Sequence, residues 1–114
     1  MIQECETCQD LEGLVAASKK KPVFLFKHST RCPVSAGRWS VLQSYARHET
    51  RADFYRLLVV ENRPLSLQVA EQAGVKHQSP QVILFSNGQV VWNTSHGSIT
   101  EESMMTALER ALLR

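Results

Sequence analysis

"KPVFLFKHSTRCPVSAGRWS", residues 21–40, joins an apolar run to a polar turn and then to a stretch of helical periodicity. Lys21 to His28 is short, apolar and bounded by Pro22 and the turn, which is the pattern of a buried strand. Beyond the turn, Val34, Val41, Leu42 and Tyr45 recur at helical spacing, so residues 33–48 read as a helix. "FYRLLVV", Phe54 to Val60, is a second apolar run. A strand–helix–strand unit of this kind joins parallel strands by a right-handed crossover.

The flanks extend the pattern. Upstream, Thr7-Cys8-Gln9-Asp10 has the form of a capping box with Asp in place of Glu, and Leu11, Leu14 and Val15 share one face. The spacing predicts a strand near 2–6 and a helix over 8–19. Downstream, Pro64 starts a helix whose Leu65, Val69, Ala70 and Ala73 face inward, and Gly74 ends it. "QVILFSNGQVVWN" places Asn87-Gly88 between two β-rich runs, which predicts a type I′ hairpin with strands near 81–86 and 89–94. A last helix at about 100–113 has Met104, Leu108, Ala111 and Leu112 on its core stripe. The order is βαβαβ, a helix, a β-hairpin and a helix: an α/β fold with a central mixed sheet and helices on both faces. Ligands of such sheets bind outside the carboxyl ends of the parallel strands. In the thioredoxin fold, which this element order resembles, that edge would collect residues 28–32, 61–64, 76–81 and 93–97.

Composition narrows the class. A chain of 114 residues is sized for one core, so residues 1–114 are expected to form a single domain. At 43% hydrophobic and 21% charged it reads as an ordinary globular protein, and a net charge of +2 gives no reason to expect nucleic acid. The start has no signal-peptide pattern, and no apolar stretch approaches membrane-spanning length. Three cysteines without a signal are expected to stay reduced in a cytoplasm, with the protein acting as a monomer.

Cys32 stands where the second strand gives way to its helix, and Pro33 suits the first helical position. Unpaired N–H groups at a helix start favour negative charge, and a thiolate is the nucleophilic form of cysteine. Arg31, Lys27 and His28 can add positive potential. Cys32 to Arg38 also satisfies the C-x5-R spacing of tyrosine phosphatases. Such a loop must turn successive N–H groups onto a phosphate, and Pro33 removes one of them. Cys5 and Cys8 have C-x-x-C spacing, but no second Cys or His pair has the spacing of a structural zinc site, so no metal is expected.

The element order, the Cys-Pro at the strand–helix junction and Ser79-Pro80 before the hairpin resemble the thioredoxin fold. That resemblance implies a cis Ser79-Pro80 bond facing Cys32, with the Ser79 backbone free to pair with an extended substrate. The dithiol proteins of this fold have a second cysteine where this chain has Ser35. Ser35 cannot expel a mixed disulfide. It either donates a hydrogen bond to the thiolate or serves as an early-turn helix residue. "FKHSTRCPVS", "ENRPLS", "GVKHQSPQVIL" and "VVWNTSHGSIT" together resemble the monothiol bacilliredoxin (YtxJ-like) family. The resemblance implies that Cys32 removes bacillithiol, the co-substrate, from modified cytosolic proteins, with no bound cofactor. Bacillithiol joins cysteine, glucosamine and malate. Lys27, Arg31, Arg63 and Lys76 would face the malyl carboxylates, and Asn62 and His96 would contact the sugar. The alternative is a binding or sensor domain whose Cys32 is modified without turning over.

Overall fold

The computed structural model describes residues 1–113. The elements in chain order are β1 (Ile2–Glu4), α1 (Cys8–Ala17), β2 (Val23–His28), α2 (Pro33–His48), β3 (Asp53–Leu58), α3 (Arg63–Ala73), β4 (Gln81–Ser86), β5 (Gln89–Ser95) and α4 (Glu101–Leu112), with a 3₁₀ turn at His96–Ser98. They form one five-stranded sheet in the order β1-β3-β2-β4-β5. β3 runs parallel to both β1 and β2, whereas β4 is antiparallel to β2 and β5. This is the mixed sheet that the sequence pattern predicts.

β2 lies at the centre, and every one of its six residues is buried. Side chains alternate along a strand, so its two faces serve two cores. Phe24 and Phe26 join Leu42, Tyr45, Phe54, Leu84, Met104 and Leu108 on the α2/α4 side. Val23 and Leu25 join Leu11, Leu14, Leu57, Leu65, Val69 and Ile83 on the α1/α3 side. Burial on both faces is why this strand is continuously apolar instead of alternating. Helix signals behave as expected: Thr7 and Asp10 form the capping box of α1, and Gly74 closes α3 in the left-handed conformation.

Several readings need correction: β1 stops at Glu4 and α1 at Ala17, each two residues before its expected end. Val34 is 52% exposed: the inward stripe of α2 runs through Ser35, Leu42, Tyr45 and Ala46, and Val34 falls one step outside it. Leu112 is 42% exposed; the stripe of α4 runs through Met104, Ala107, Leu108 and Ala111, and Leu112 falls one step outside it. β3 ends at Leu58, two residues early, where the chain turns toward α3. There the Val59 N–H still donates to the His28 carbonyl at 3.0 Å.

Asn87 and Gly88 have φ of 55° and 79°, the pair of positive values that a type I′ turn requires. The end of α1 braces this turn. The Asn87 N–H donates to the Ser18 carbonyl at 2.8 Å, and the Gly88 N–H donates to Ser18 Oγ at 2.9 Å. A Cβ at Gly88 would lie 3.2 Å from Lys19 Cε in a conformation that L-residues disfavour by about 1–2 kcal/mol. Gly88→Ala should therefore lower unfolding free energy by roughly 1–2 kcal/mol in urea titration. Reactivity of Cys32 should be unchanged, since the turn lies at the opposite end of β4 from Pro80.

Candidate active site

β2 ends at His28, and residues 29–31 carry the chain out of the sheet before α2 begins. Cys32 is the N-cap of α2, with extended backbone (φ −113°, ψ 119°) and no capping hydrogen bond from its side chain. Its N–H donates to the Ser29 carbonyl at 3.3 Å, and its own carbonyl accepts the first helical bond, from Ala36, at 3.0 Å. The half-buried sulfur thus occupies the position where Ser or Asp would normally accept from the first free amides of a helix.

Ser35 is fully buried and tied to the strand that precedes the loop. Its Oγ lies 2.7 Å from His28 Nδ1 and accepts from the Ser29 N–H at 3.0 Å. These bonds make Ser35, in the first turn of α2, an anchor of the β2–α2 loop. His28 is not the exposed cation that the sequence suggested. It is 4% exposed and stacks on Trp39, with centroids 5.4 Å apart. Burial, and then Arg56, push its pKa below the usual histidine value, against weaker opposing effects of Glu61 and Glu4. The ring is therefore neutral at pH 7.

Lys27 is also corrected. As the neighbour of His28 on a strand it points to the opposite face, under α3, where it has no exposure at all. Its Nζ donates to the Ser66 carbonyl at 3.1 Å and lies 2.8 Å from His77 Nδ1. Burial pushes its pKa down to about 8. Lys27 does not belong to the charged rim. Sequence reasoning missed this polar cluster, although a lysine inside "VFLFKH" was the signal that could have found it.

The remaining candidates gather at the same sheet edge. Register places Lys27 opposite Gln81, Gln81 opposite Ser95, and His28 opposite Leu58. Residues 29–32, 59–62, 79–80 and 96 therefore leave the sheet at the same edge, 59–62 and 79–80 on either side of β2 and 96 one strand beyond β4. The Ser79-Pro80 bond is cis, as the fold resemblance implies. Ser79 Oγ is buried without a hydrogen-bond partner. His96 is exposed with φ of 53°, and its N–H donates to the Pro80 carbonyl at 3.0 Å. Asn62 caps α3 through its backbone, its carbonyl accepting from Ser66 at 2.9 Å. Arg31, Arg63 and Lys76 are exposed.

The other two cysteines lie elsewhere. All three are free. Cys5 is fully buried, and burial, with help from Asp10, Cys8 and Glu6, pushes its thiol up to about 12. Cys8 is exposed and its thiol donates to Gln68 Oε1 at 3.3 Å. β3 separates β1 from β2, so Cys5 lies two strand spacings, about 10 Å, to the side of β2. A disulfide needs Cα atoms within about 7 Å. Arg38, the arginine of the C-x5-R spacing, donates from Nη1 to the Ile99 carbonyl at 2.8 Å and is engaged away from the loop. No cluster of three or more metal-binding side chains occurs among the described residues.

The family model for monothiol bacilliredoxin BrxC matches residues 3–104. A solved structure described as a candidate oxidoreductase with a thioredoxin fold is 35% identical, covering 93% of this chain and 92% of its own, with a TM-score of 0.85. Thioredoxin from Fasciola hepatica superposes with a TM-score of 0.77 at 17% identity, covering 96% and 98% of the two chains. Thioredoxin f from spinach chloroplast does so at 0.76 and 19%, covering 97% and 93%. These last two show the fold alone; the first two findings support thiol–disulfide chemistry.

Ser35→Ala removes the partner of both His28 Nδ1 and the Ser29 N–H. Leaving buried polar groups unpaired costs about 1–3 kcal/mol, so the urea-derived stability should fall by that amount. Ser35→Thr, which keeps a hydroxyl, should recover part of it.

Proposed function

The chain belongs to the monothiol bacilliredoxin family, and from that premise we propose that it removes bacillithiol from mixed disulfides on cytoplasmic proteins, with Cys32 as the sole nucleophile. The observation that carries this reading is the pairing of a half-buried N-cap thiol at Cys32 with a buried hydroxyl at Ser35. A reaction that needs a second thiol at that helix position has none to use.

The chemistry closes with one cysteine. The Cys32 thiolate attacks the bacillithiol sulfur of the mixed disulfide, the new bond forms, and the protein cysteine leaves as a thiolate. A second bacillithiol thiolate then attacks the captured bacillithiol sulfur. Bacillithiol disulfide departs and the Cys32 thiolate returns. Each step exchanges one S–S bond for another, so no electron acceptor, metal or bound cofactor is required.

Recognition would divide between charge and backbone. Arg31 stands next to Cys32, and Arg63 and Lys76 are exposed in the adjoining segments, a charge complement to the two malyl carboxylates. Asn62 and His96 would contact the sugar. The Ser79 N–H and C=O make no main-chain hydrogen bond among the described residues, which leaves them free to pair with the modified protein. In this reading residues 1–114 act as one domain and as a monomer, on protein and small-thiol partners, without nucleic acid or membrane.

Cys32→Ser should abolish de-thiolation, and the double variant Cys5→Ser/Cys8→Ser should keep most of it. Loss of turnover in the double variant would make the N-terminal pair the resolving thiols. Arg31→Ala should raise KM more for bacillithiol-linked than for glutathione-linked substrates. Salt should narrow that difference, because exposed charges are screened over about 8 Å at physiological ionic strength. Equal effects on both substrates would remove Arg31 from small-thiol recognition.

A further inference from the structure

An ammonium group with no exposed surface is costly to bury, and burial pushes the Lys27 pKa down. A leucine would fill the same place without that cost. The contacts of Lys27 show what the charge holds. Ser66, whose carbonyl accepts from Nζ, lies in α3, whereas His77 lies in the segment 74–80 that links α3 to β4. Ser66 Oγ also approaches His77 Nδ1, at 3.4 Å. Gln81, the cross-strand partner of Lys27 and 1% exposed, donates from Nε2 to the Lys76 carbonyl at 3.0 Å. Two buried polar side chains on adjacent strands thus hold residues 76 and 77, with one residue between them and Ser79.

We propose that Lys27 is a positioning residue: through its contact with His77 it fixes the 76–80 segment beside Cys32, so that the Ser79 main chain meets an incoming protein in one orientation. The use of the segment rests on the redox reading of Cys32; the tether itself does not.

The contact also carries a pH dependence. Nδ1 of His77 must be bare to accept from Lys27, which puts the ring proton on Nε2. Burial, and then two cations, Lys27 from β2 and Arg63 from α3, push the His77 pKa below the usual value. A histidine so shifted contributes stability that is complete above its unfolded value of about 6.5 and is lost as pH falls through the folded value. Acidification sets a second cation against the ammonium and breaks the tether. Lys27, pushed down to about 8, still has N–H groups to offer after losing a proton, so alkaline pH leaves the tether in place.

NMR titration of the full-length protein tests this without reference to redox activity. The His77 ring should titrate as the Nε2–H tautomer with a lowered midpoint, and the amides of residues 76–79 should shift with the same midpoint. In Lys27→Met the midpoint should rise and the coupled shifts should disappear. De-thiolation of a protein mixed disulfide should show KM raised at least fivefold in Lys27→Met at pH 7.5. Alkylation of Cys32 by iodoacetamide should stay within twofold of wild type. His77→Gln, which keeps an acceptor but cannot titrate, should hold the wild-type KM at pH 7.5 and lose its rise toward pH 5.5; this variant serves equally if Lys27→Met does not fold. An unmoved His77 midpoint in Lys27→Met, amides that ignore the His77 titration, or an acid rise in KM that survives in His77→Gln would overturn the proposal. Absence of thiol transfer by the wild type would instead count against the redox reading, and the titration would still decide the tether.

Discussion

Burial of β2 on both faces is the constraint on which the rest of the molecule depends. Phe24 and Phe26 supply one core, and Val23 and Leu25 the other. A strand that feeds two cores must sit mid-sheet, and its parallel pairing with β3 then requires α2 to cross over one face. The strand ends at His28, and the crossover helix begins after a three-residue turn. It is there, at the N-cap of α2, that the chain places Cys32. Strand burial and thiol placement are therefore one fact about the β2–α2 junction, and Ser35, bonded to His28 and Ser29, locks it.

The two polar residues that end β2 divide their work by the same alternation. His28 points toward α2, neutral and stacked on Trp39; Lys27 points toward α3 and reaches Ser66 and His77. Neither supplies the exposed positive charge that their sequence position suggests. The buried pair instead sets where the neighbouring loops lie. A positive residue inside an apolar strand reads as rim charge when only its sequence neighbours are considered. Strand alternation, applied strictly, would have sent Lys27 the other way.

What was legible in the sequence was whatever rests on local stereochemistry. Asn87-Gly88 specified its turn because two consecutive left-handed residues leave few choices, and the Pro33 and Gly74 signals marked helix ends for the same kind of reason. Stripe membership was less legible at the ends of helices. Val34 and Leu112 have helical spacing, but each falls one step outside the stripe that packs on the sheet, beside the buried Ser35 and Ala111. The His28–Ser35 and Lys27–His77 contacts were not legible, since the first spans a loop and the second joins residues fifty positions apart. The gathering of residues 28–32, 62, 79–80 and 96 at one edge followed from topology, which the resemblance and the strand pattern gave together.

The central claim is that one thiol, Cys32, both captures and releases the small thiol. Intact-protein mass spectrometry after exposure to bacillithiol disulfide tests it most directly. The account predicts a single bacillithiol adduct that peptide mapping assigns to Cys32, removed by a further addition of bacillithiol with no internal disulfide formed at any stage. An adduct that persists against excess bacillithiol, or an internal disulfide linking Cys32 to Cys5 or Cys8, would contradict it.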